Sequence, residues 1–110
     1  MKMPNGDRAV VDEAKLRDYC LSTFHPRGRH KARVFRSVMG ITDHHVPLLR
    51  DALLAAAARE EAQTGDVDEY GQRYSVDFDV TGPTGAGRVR STWIVLSTED
   101  FPRLTSCYVL

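Results

Sequence analysis

The sequence has only two cysteines, Cys20 and Cys107, and most of the chain separates them. Two such distant residues cannot supply a disulfide framework or a zinc site, so we expect reduced, mostly buried thiols. No apolar run approaches the roughly 20 residues that a membrane-spanning helix needs. Residues 1–7 also lack the apolar stretch of a secretory signal. These absences favour a cytoplasmic protein with no membrane partner.

Spacing typical of metal ligands is missing as well. His44 and His45 are adjacent and would point to different faces of a helix, so they are better explained as first-turn residues. Asp77 and Asp79 share one face of a predicted strand, where alternating acids are typical of the solvent side. We therefore expect neither a metal ion nor another cofactor.

What the chain does contain is an ordinary globular composition. Apolar residues make up 42% and charged residues 27%, which argues against wholesale disorder. A length of 110 residues predicts a single domain over 1–110. Net charge is zero, yet residues 1–40 carry nine bases against four acids, whereas 41–80 carry three bases against nine acids. The basic N-terminal segment would either bind a phosphate backbone or be neutralised in the fold by the acidic central segment.

Hydrophobic periodicity predicts three helices in the N-terminal half. The first covers 10–22 with Asp12 as its N-cap, and the second runs from about 29 to 39 and ends at Gly40. The third begins near 44–46, because proline is tolerated only in the first turn, and closes over 63–66. A loop precedes the second helix, where Gly28 would allow a positive φ.

The period changes to two near residue 73, which predicts strands. They cover 73–80, 89–96 and 103–110, with a hairpin connection over 81–87. The second is apolar on both faces and should be central. The sequence therefore predicts an α+β fold, in which about three N-terminal helices pack on a short antiparallel sheet of three to four strands.

The densest chemical feature is the basic cluster, which we define as residues 25–36. It contains five cations and two histidines and no acid. Exposed N–H groups at the start of a helix favour an anion, whereas cations there oppose the helix dipole at a cost of roughly 0.3–1 kcal/mol each. Phosphate is the obvious anion, with Arg27, Arg29 and Arg33 as binding residues. The alternative is a solvated basic turn whose cations pair with acids of the third helix.

Histidines in this cluster add proton transfer, because histidine both donates and accepts a proton near neutral pH. Scission of RNA needs a base for the 2′-hydroxyl, an acid for the leaving oxygen and cations for the charged phosphorane. His25, His30 and Lys31 match these parts without a metal. We predict these three as the catalytic residues.

Two strands offer further candidates for substrate binding. Ser91 and Trp93 project to one face, where an indole would stack on a base and a hydroxyl would hold a phosphate. The alternative is that the tryptophan belongs to the core. Arg103 and Thr105 of the last strand are the other candidates. In a regular strand Thr105 and Cys107 point opposite to Ser106 and Tyr108, so only one of these pairs can face a site.

A set of motifs gives the chain a family resemblance. They are His25-Pro26, Gly28, His30-Lys31-Ala32, Phe35, Tyr70-Gly71, Trp93-Ile94-Val95 and Pro102-Arg103-Leu104-Thr105. With them the chain resembles, over nearly its whole length, a family of small bacterial proteins known as domain of unknown function number six-eight-eight-three. That resemblance implies no activity.

A more distant resemblance is to the barnase, EndoU, colicin and RelE-like ribonuclease toxins. Ser91 and Trp93 match the Ser-x-Trp strand of some of them, and His30 with Lys31 resembles their Lys/His cluster in the reverse order. This resemblance implies a toxin-type endoribonuclease that acts on RNA and has a cognate antitoxin or immunity protein.

The function expected from the sequence is thus a metal-independent endoribonuclease-like domain. The main alternative is a non-catalytic protein-binding module of the immunity, antitoxin or adaptor type. Its basic loop would dock on an acidic partner, or its sheet edge would pair with another chain. A third interpretation is a binder of small phosphate-bearing molecules.

Overall fold

Three helices and a four-stranded sheet make up the computed structural model, which describes residues 1–110. The predicted α+β fold, with N-terminal helices and a C-terminal antiparallel sheet, is confirmed. The bounds are α1 Glu13–Lys15, α2 Arg29–Met39, α3 Val46–Arg59, β1 Gln63–Val67, β2 Gly71–Thr81, β3 Ala86–Leu96 and β4 Pro102–Val109. None of the three helices combines the length and the hydropathy that a membrane-spanning segment requires.

The first helix begins where the sequence places its cap, since the Asp12 carboxylate accepts the N–H of Ala14 at 2.9 Å. After one α-helical turn the backbone widens into a π-helical turn, Leu16–Cys20. Both ends of that turn are buried, which fixes it on the core. Val10 was predicted to lie in this helix, but it pairs instead with the edge of β4.

Glycines end and begin the second helix for different reasons. Gly40 has a φ of 70° and ends α2 as predicted. The positive φ predicted for Gly28 is wrong, because its φ is −93°. A Cβ at Gly28 would lie 2.2 Å from the carbonyl oxygen of Tyr19, so the absence of a side chain lets α2 start against the π-helical turn.

The third helix starts at Val46, with Pro47 in its first turn as predicted. Thr42 and His45 form a reciprocal capping box just before it. The predicted helix end over 63–66 is wrong, because those residues belong to β1. All five residues of β1 are exposed, so the strand lacks the alternating apolar pattern by which strands are recognised.

The sheet is antiparallel with the order β1-β2-β3-β4, and β3 is flanked on both sides as expected. One irregularity interrupts the pairing of β3 with β4. Thr92 pairs with Ser106 but Trp93 pairs with Leu104, so Thr105 is an extra residue that forms a bulge in β4.

A core of 20 buried residues lies between the helices and one face of the sheet. Phe35 and Met39 of α2 and Leu49 and Leu53 of α3 are fully buried and supply its helical side. The flank of α2 lies beside β4, where Lys31 contacts Ser106. The basic cluster is therefore next to the edge of the sheet.

Candidate functional site

Lys31 lies where two surface hollows meet. The groove, of about 520 Å³, is lined by Lys15, Tyr19, His25, Lys31, Thr105 and Ser106, with Asp12, Ala14 and Asp18 also at its wall. The side hollow, of about 400 Å³, is lined by His30, Lys31, Val34, Tyr108 and Val109. Lys31 is the side chain that the two hollows share.

The ammonium of Lys31 is held by β4 and two aromatic rings. Its Nζ lies 3.5 Å from the hydroxyl of Ser106, 5.9 Å from the ring centre of Tyr19 and 5.2 Å from that of Tyr108. The neighbouring Ala32 is buried, so Lys31 extends from the flank of the amphipathic helix towards the sheet edge. Ring faces attract a cation without neutralising it, so the charge remains able to bind an anion.

His25 enters the groove from the loop before α2. Its Nδ1 accepts the backbone N–H groups of Arg27 at 3.1 Å and Gly28 at 3.2 Å, and its ring meets that of Tyr19 edge-on at 4.6 Å. Since Nδ1 is an acceptor, the neutral ring carries its proton on Nε2. Nε2 is therefore the nitrogen that can exchange a proton with a ligand.

The cations of the basic cluster have no acid partners. None of the ion pairs in the structure includes a residue between 25 and 36. The alternative in which they pair with acids of the third helix is wrong, because Asp51 of α3 pairs with Arg50. Arg27, Arg29 and Arg33 are exposed, and they line neither hollow.

Ser91 and Trp93 were predicted to touch substrate, and the structure contradicts this. Both are 0% exposed. The indole N–H of Trp93 donates to the Ser91 hydroxyl at 2.9 Å, and that hydroxyl donates to the carbonyl of Val76 at 2.8 Å. The pair is a satisfied polar link inside the core, where no base or phosphate can reach it.

Arg103 is also outside the groove. Its guanidinium donates to both carboxylate oxygens of Glu99 at 2.7 Å and lies over the ring of Phe101. This fork holds the pKa of the Glu99 carboxyl below its usual value and raises the pKa of Arg103. A charge engaged in this way is a structural clamp on the turn before β4, and the predicted role in substrate binding has no geometric support.

Thr105 does line the groove, and the bulge in β4 explains how. The expectation that only one of Thr105 and Ser106 can face a site is wrong, because the extra residue lets both line it. The hydroxyl of Thr105 bonds that of Thr92 at 2.6 Å, while its carbonyl accepts from Lys15 at 3.4 Å. Thr105 therefore fixes the β4 side of the groove, and Ser106 presents the hydroxyl nearest to the ammonium of Lys31.

The structure thus brings His25, Lys31 and Thr105 into one groove and places His30 in the adjoining hollow. Sequence reasoning did not assign Lys15, Tyr19, Ser106 or Tyr108 to the site. Ser106 and Tyr108 were considered only as the alternative face of the last strand, where residues two apart point the same way. Lys15 and Tyr19 reach the site only through the docking of the first helix.

The structure contains no group of three or more His, Cys, Asp or Glu side chains that could hold a metal ion. Comparison with protein families found a family model, described as a domain of unknown function (DUF6883), that matches residues 2–110. No curated protein matches the chain. The resemblance to ribonuclease toxins stays a prediction.

Proposed function

The chain belongs to the DUF6883 family of domains of unknown function, and we propose that it is a metal-independent endoribonuclease-like domain acting on an RNA phosphodiester in the groove. One observation carries this proposal. The half-buried ammonium of Lys31 has no acid partner and stands between two histidines, His25 in the groove and His30 in the side hollow.

An anion in the groove would complete the surroundings of Lys31. Partial burial of a charge is costly when nothing compensates it. The ammonium contacts the Ser106 hydroxyl and two ring faces and forms no ion pair, although Asp12 and Asp18 also line the groove. A phosphate oxygen beside Nζ would also meet the hydroxyl of Ser106 and lie near Lys15. The part of the groove around Lys31 therefore favours an anionic phosphate oxygen over a neutral ligand.

The two histidines would supply the proton transfers. With Nδ1 occupied by backbone donors, His25 carries its proton on Nε2 and would donate it to the leaving oxygen. His30, on the other side of Lys31, would accept the proton of the 2′-hydroxyl. Each positioned acid or base contributes about 10²–10⁴-fold to the rate. Lys31 would stabilise the charge that develops on the phosphorane between them.

Two tyrosines would stack on the RNA base, the role that the sequence suggested for Trp93. Tyr19 borders the groove and Tyr108 the side hollow, and each ring lies beside the ammonium of Lys31. A base that follows the phosphate would stack on one of these rings, since aromatic faces accept any base. Recognition of this kind predicts little sequence preference.

The unpaired arginines extend the positive surface beyond the groove. Arg27, Arg29 and Arg33 are exposed and hold no acid. Each phosphate that such a cation neutralises releases counterions, so binding weakens steeply with salt. A polynucleotide should therefore bind more tightly than a mononucleotide. This length dependence separates RNA binding from binding of a small phosphate-bearing molecule.

The test is incubation of the purified protein with an RNA oligonucleotide in the presence of a chelator. Cleavage should leave a 2′,3′-cyclic phosphate, and the same oligonucleotide with one 2′-deoxy position should stay intact at that position. His25→Gln and His30→Gln should each slow the reaction, whereas His44→Gln, which lies outside both hollows, should not. Intact RNA over a wide range of protein concentrations would contradict the proposal.

A toxin-type role makes a separate prediction in cells. Expression of the wild-type chain should arrest growth, and the double substitution His30→Ala/Lys31→Ala should relieve the arrest. Tolerated expression together with intact RNA would favour the non-catalytic protein-binding module.

A further inference from the structure

The loop before α2 exposes the side chain of Phe24 to solvent. The residue is 93% exposed, more than any other large apolar residue of the chain. It belongs neither to the core nor to the partly buried residues that pack against the core. A single exposed apolar residue is common on protein surfaces, so the exposure alone does not indicate a ligand. The support comes from the loop that carries the ring and from the charges around it.

Hydrogen bonds on both sides of Phe24 hold this loop in one shape. The backbone N–H of Phe24 donates to the hydroxyl of Ser22 at 3.2 Å. The carbonyl of His25 accepts the N–H of Arg29 at 2.9 Å, and Nδ1 of the same histidine accepts two further backbone N–H groups. The phenyl ring is therefore presented to solvent by an ordered backbone, so that binding a ligand there costs little loop entropy.

The ring lies on the rim of the groove, among cations. Phe24 is bonded directly to His25, which lines the groove, and the Cα atoms of such neighbours are about 3.8 Å apart. Arg27 and Arg29 follow in the same loop and at the start of α2; both are exposed and neither has an acid partner. An aromatic face beside backbone-tracking cations is the combination that binds single-stranded nucleic acids.

We propose that Phe24 is a second stacking position for RNA and that the substrate is consequently single-stranded. This inference rests on the proposed function and specifies its substrate class. One base stacks on a tyrosine inside the groove, and the base on the other side of the bound phosphate stacks on Phe24. Arg27 and Arg29 contact the phosphates of the strand as it leaves the groove.

A ring that projects into solvent can stack only on a base whose face is free. Within a duplex the faces of each base are covered by its neighbours, and proteins contact A-form RNA through its backbone and minor groove. Stacking at Tyr19 in the groove and at Phe24 on its rim therefore needs two bases that have left the helical stack. Hairpin loops and unpaired ends provide such bases.

The test measures binding of a labelled, fully 2′-O-methylated RNA oligonucleotide, which lacks the 2′-hydroxyl nucleophile and so is not cleaved by that route. Phe24→Ala should weaken binding of the single strand by about 5–150-fold, the range for loss of one stacked base. Tyr70→Ala is the matched control and should bind as wild type does. It removes another exposed aromatic ring, located between β1 and β2 at the opposite edge of the sheet.

Two further measurements separate stacking from general charge attraction. The same oligonucleotide annealed to its complement should bind wild type more weakly than the single strand does, and this preference should decrease in Phe24→Ala. Phe24→Trp should retain the affinity for the single strand, and its exposed indole should lose fluorescence when a base stacks on it. Because Phe24 lies outside the core, Phe24→Ala should also unfold at the same urea concentration as wild type.

Failure of this inference can be told from failure of the proposed function. If wild type binds the single strand and Phe24→Ala binds it equally well, the stacking position at Phe24 is wrong, while RNA binding in the groove stands. Equal losses in Phe24→Ala and Tyr70→Ala, or unchanged fluorescence of Phe24→Trp on binding, would overturn it in the same way. If wild type binds no RNA, the proposed function is wrong and this inference with it.

Discussion

The ammonium of Lys31 lies 3.5 Å from the hydroxyl of Ser106, although 75 residues separate them in the sequence. One belongs to α2 and the other to the edge strand, so this contact joins the basic cluster to the sheet. It also forms the boundary at which the groove meets the side hollow. The chemistry proposed for the groove depends on this placement of the ammonium.

Replacing Lys31 with glutamine removes the charge at the centre of the site while keeping a similar length. We expect RNA cleavage to fall by about 10²–10³-fold, the usual effect of losing one group that stabilises a transition-state oxyanion. The salt slope of RNA binding should decrease by about one. Single-turnover cleavage and binding titrations at several salt concentrations measure these effects.

The matched control is Arg59→Gln, which removes another cation without an acid partner, at the end of α3 and outside both hollows. Equal losses in the two variants would mean that only overall charge matters, against the proposed role of Lys31.

Gly28→Ala should destabilise the junction between α2 and the π-helical turn. The added Cβ would lie 2.2 Å from the carbonyl oxygen of Tyr19, so backbone must move. Overpacking of this kind typically costs about 1–3 kcal/mol, which urea unfolding will measure. The loop that holds His25 should shift as well, and NMR of the imidazole will report it. Gly65→Ala is the control, because a Cβ there would lie 3.3 Å from its nearest neighbour. A Gly28→Ala variant as stable as wild type would mean that the contact between Gly28 and Tyr19 is not tight.

Ser91→Ala should cost stability without affecting a ligand. It leaves the buried N–H of Trp93 without an acceptor, and an unsatisfied buried donor costs about 1–3 kcal/mol. Chemical unfolding followed by tryptophan fluorescence measures the loss, with exposed Ser37→Ala as the control. Because both core residues are sealed from solvent, RNA affinity of the folded variant should equal that of wild type. A variant that keeps its stability but no longer binds RNA would indicate that Trp93 does take part in RNA binding.

The ion pair between Asp77 and Arg90 makes stability depend on pH. Both carboxylate oxygens accept from the guanidinium at 2.8 Å, which lowers the pKa of Asp77. The pair's contribution is therefore complete above the unfolded-state pKa of about 3.9 and is lost as pH falls from there through the lower folded-state value. Asp77→Asn should thus be less stable than wild type at pH 6, and the difference should shrink below pH 4.

Unfolding free energies measured across this range test the prediction. The control is Asp79→Asn, whose side chain is 81% exposed. A difference between wild type and Asp77→Asn that stays constant down to acid pH would show that the ion pair is not the cause.

Much of the fold could be predicted because local periodicity reports burial. The end of α2 at Gly40, the start of α3 around Pro47 and the strands β2 to β4 follow from spacing and from residue conformational limits. β1 could not be predicted in this way. All its residues are exposed, and it is a strand only because β2 offers an edge to pair with.

The residue types of the candidate site could be predicted from the sequence, but several of the particular residues that line it could not. The basic cluster was recognised from its density of cations and histidines, and three of those side chains line the two hollows. Trp93 was misplaced because alternation assigns a residue to a face of a strand without saying which face is covered. Lys15 and Tyr19 were missed because their proximity to β4 depends on how the first helix docks.

By itself the sequence determined the order and type of most elements, the amphipathic face of α2 and the presence of two histidines around Lys31, because each of these is a property of neighbours along the chain. Only the tertiary structure decided the rest. It buried Trp93 against Ser91, bulged β4 at Thr105 and brought Lys31 to the hydroxyl of Ser106. These contacts join residues from separate elements or depend on what covers a strand, and their geometry follows from how helices and sheet pack.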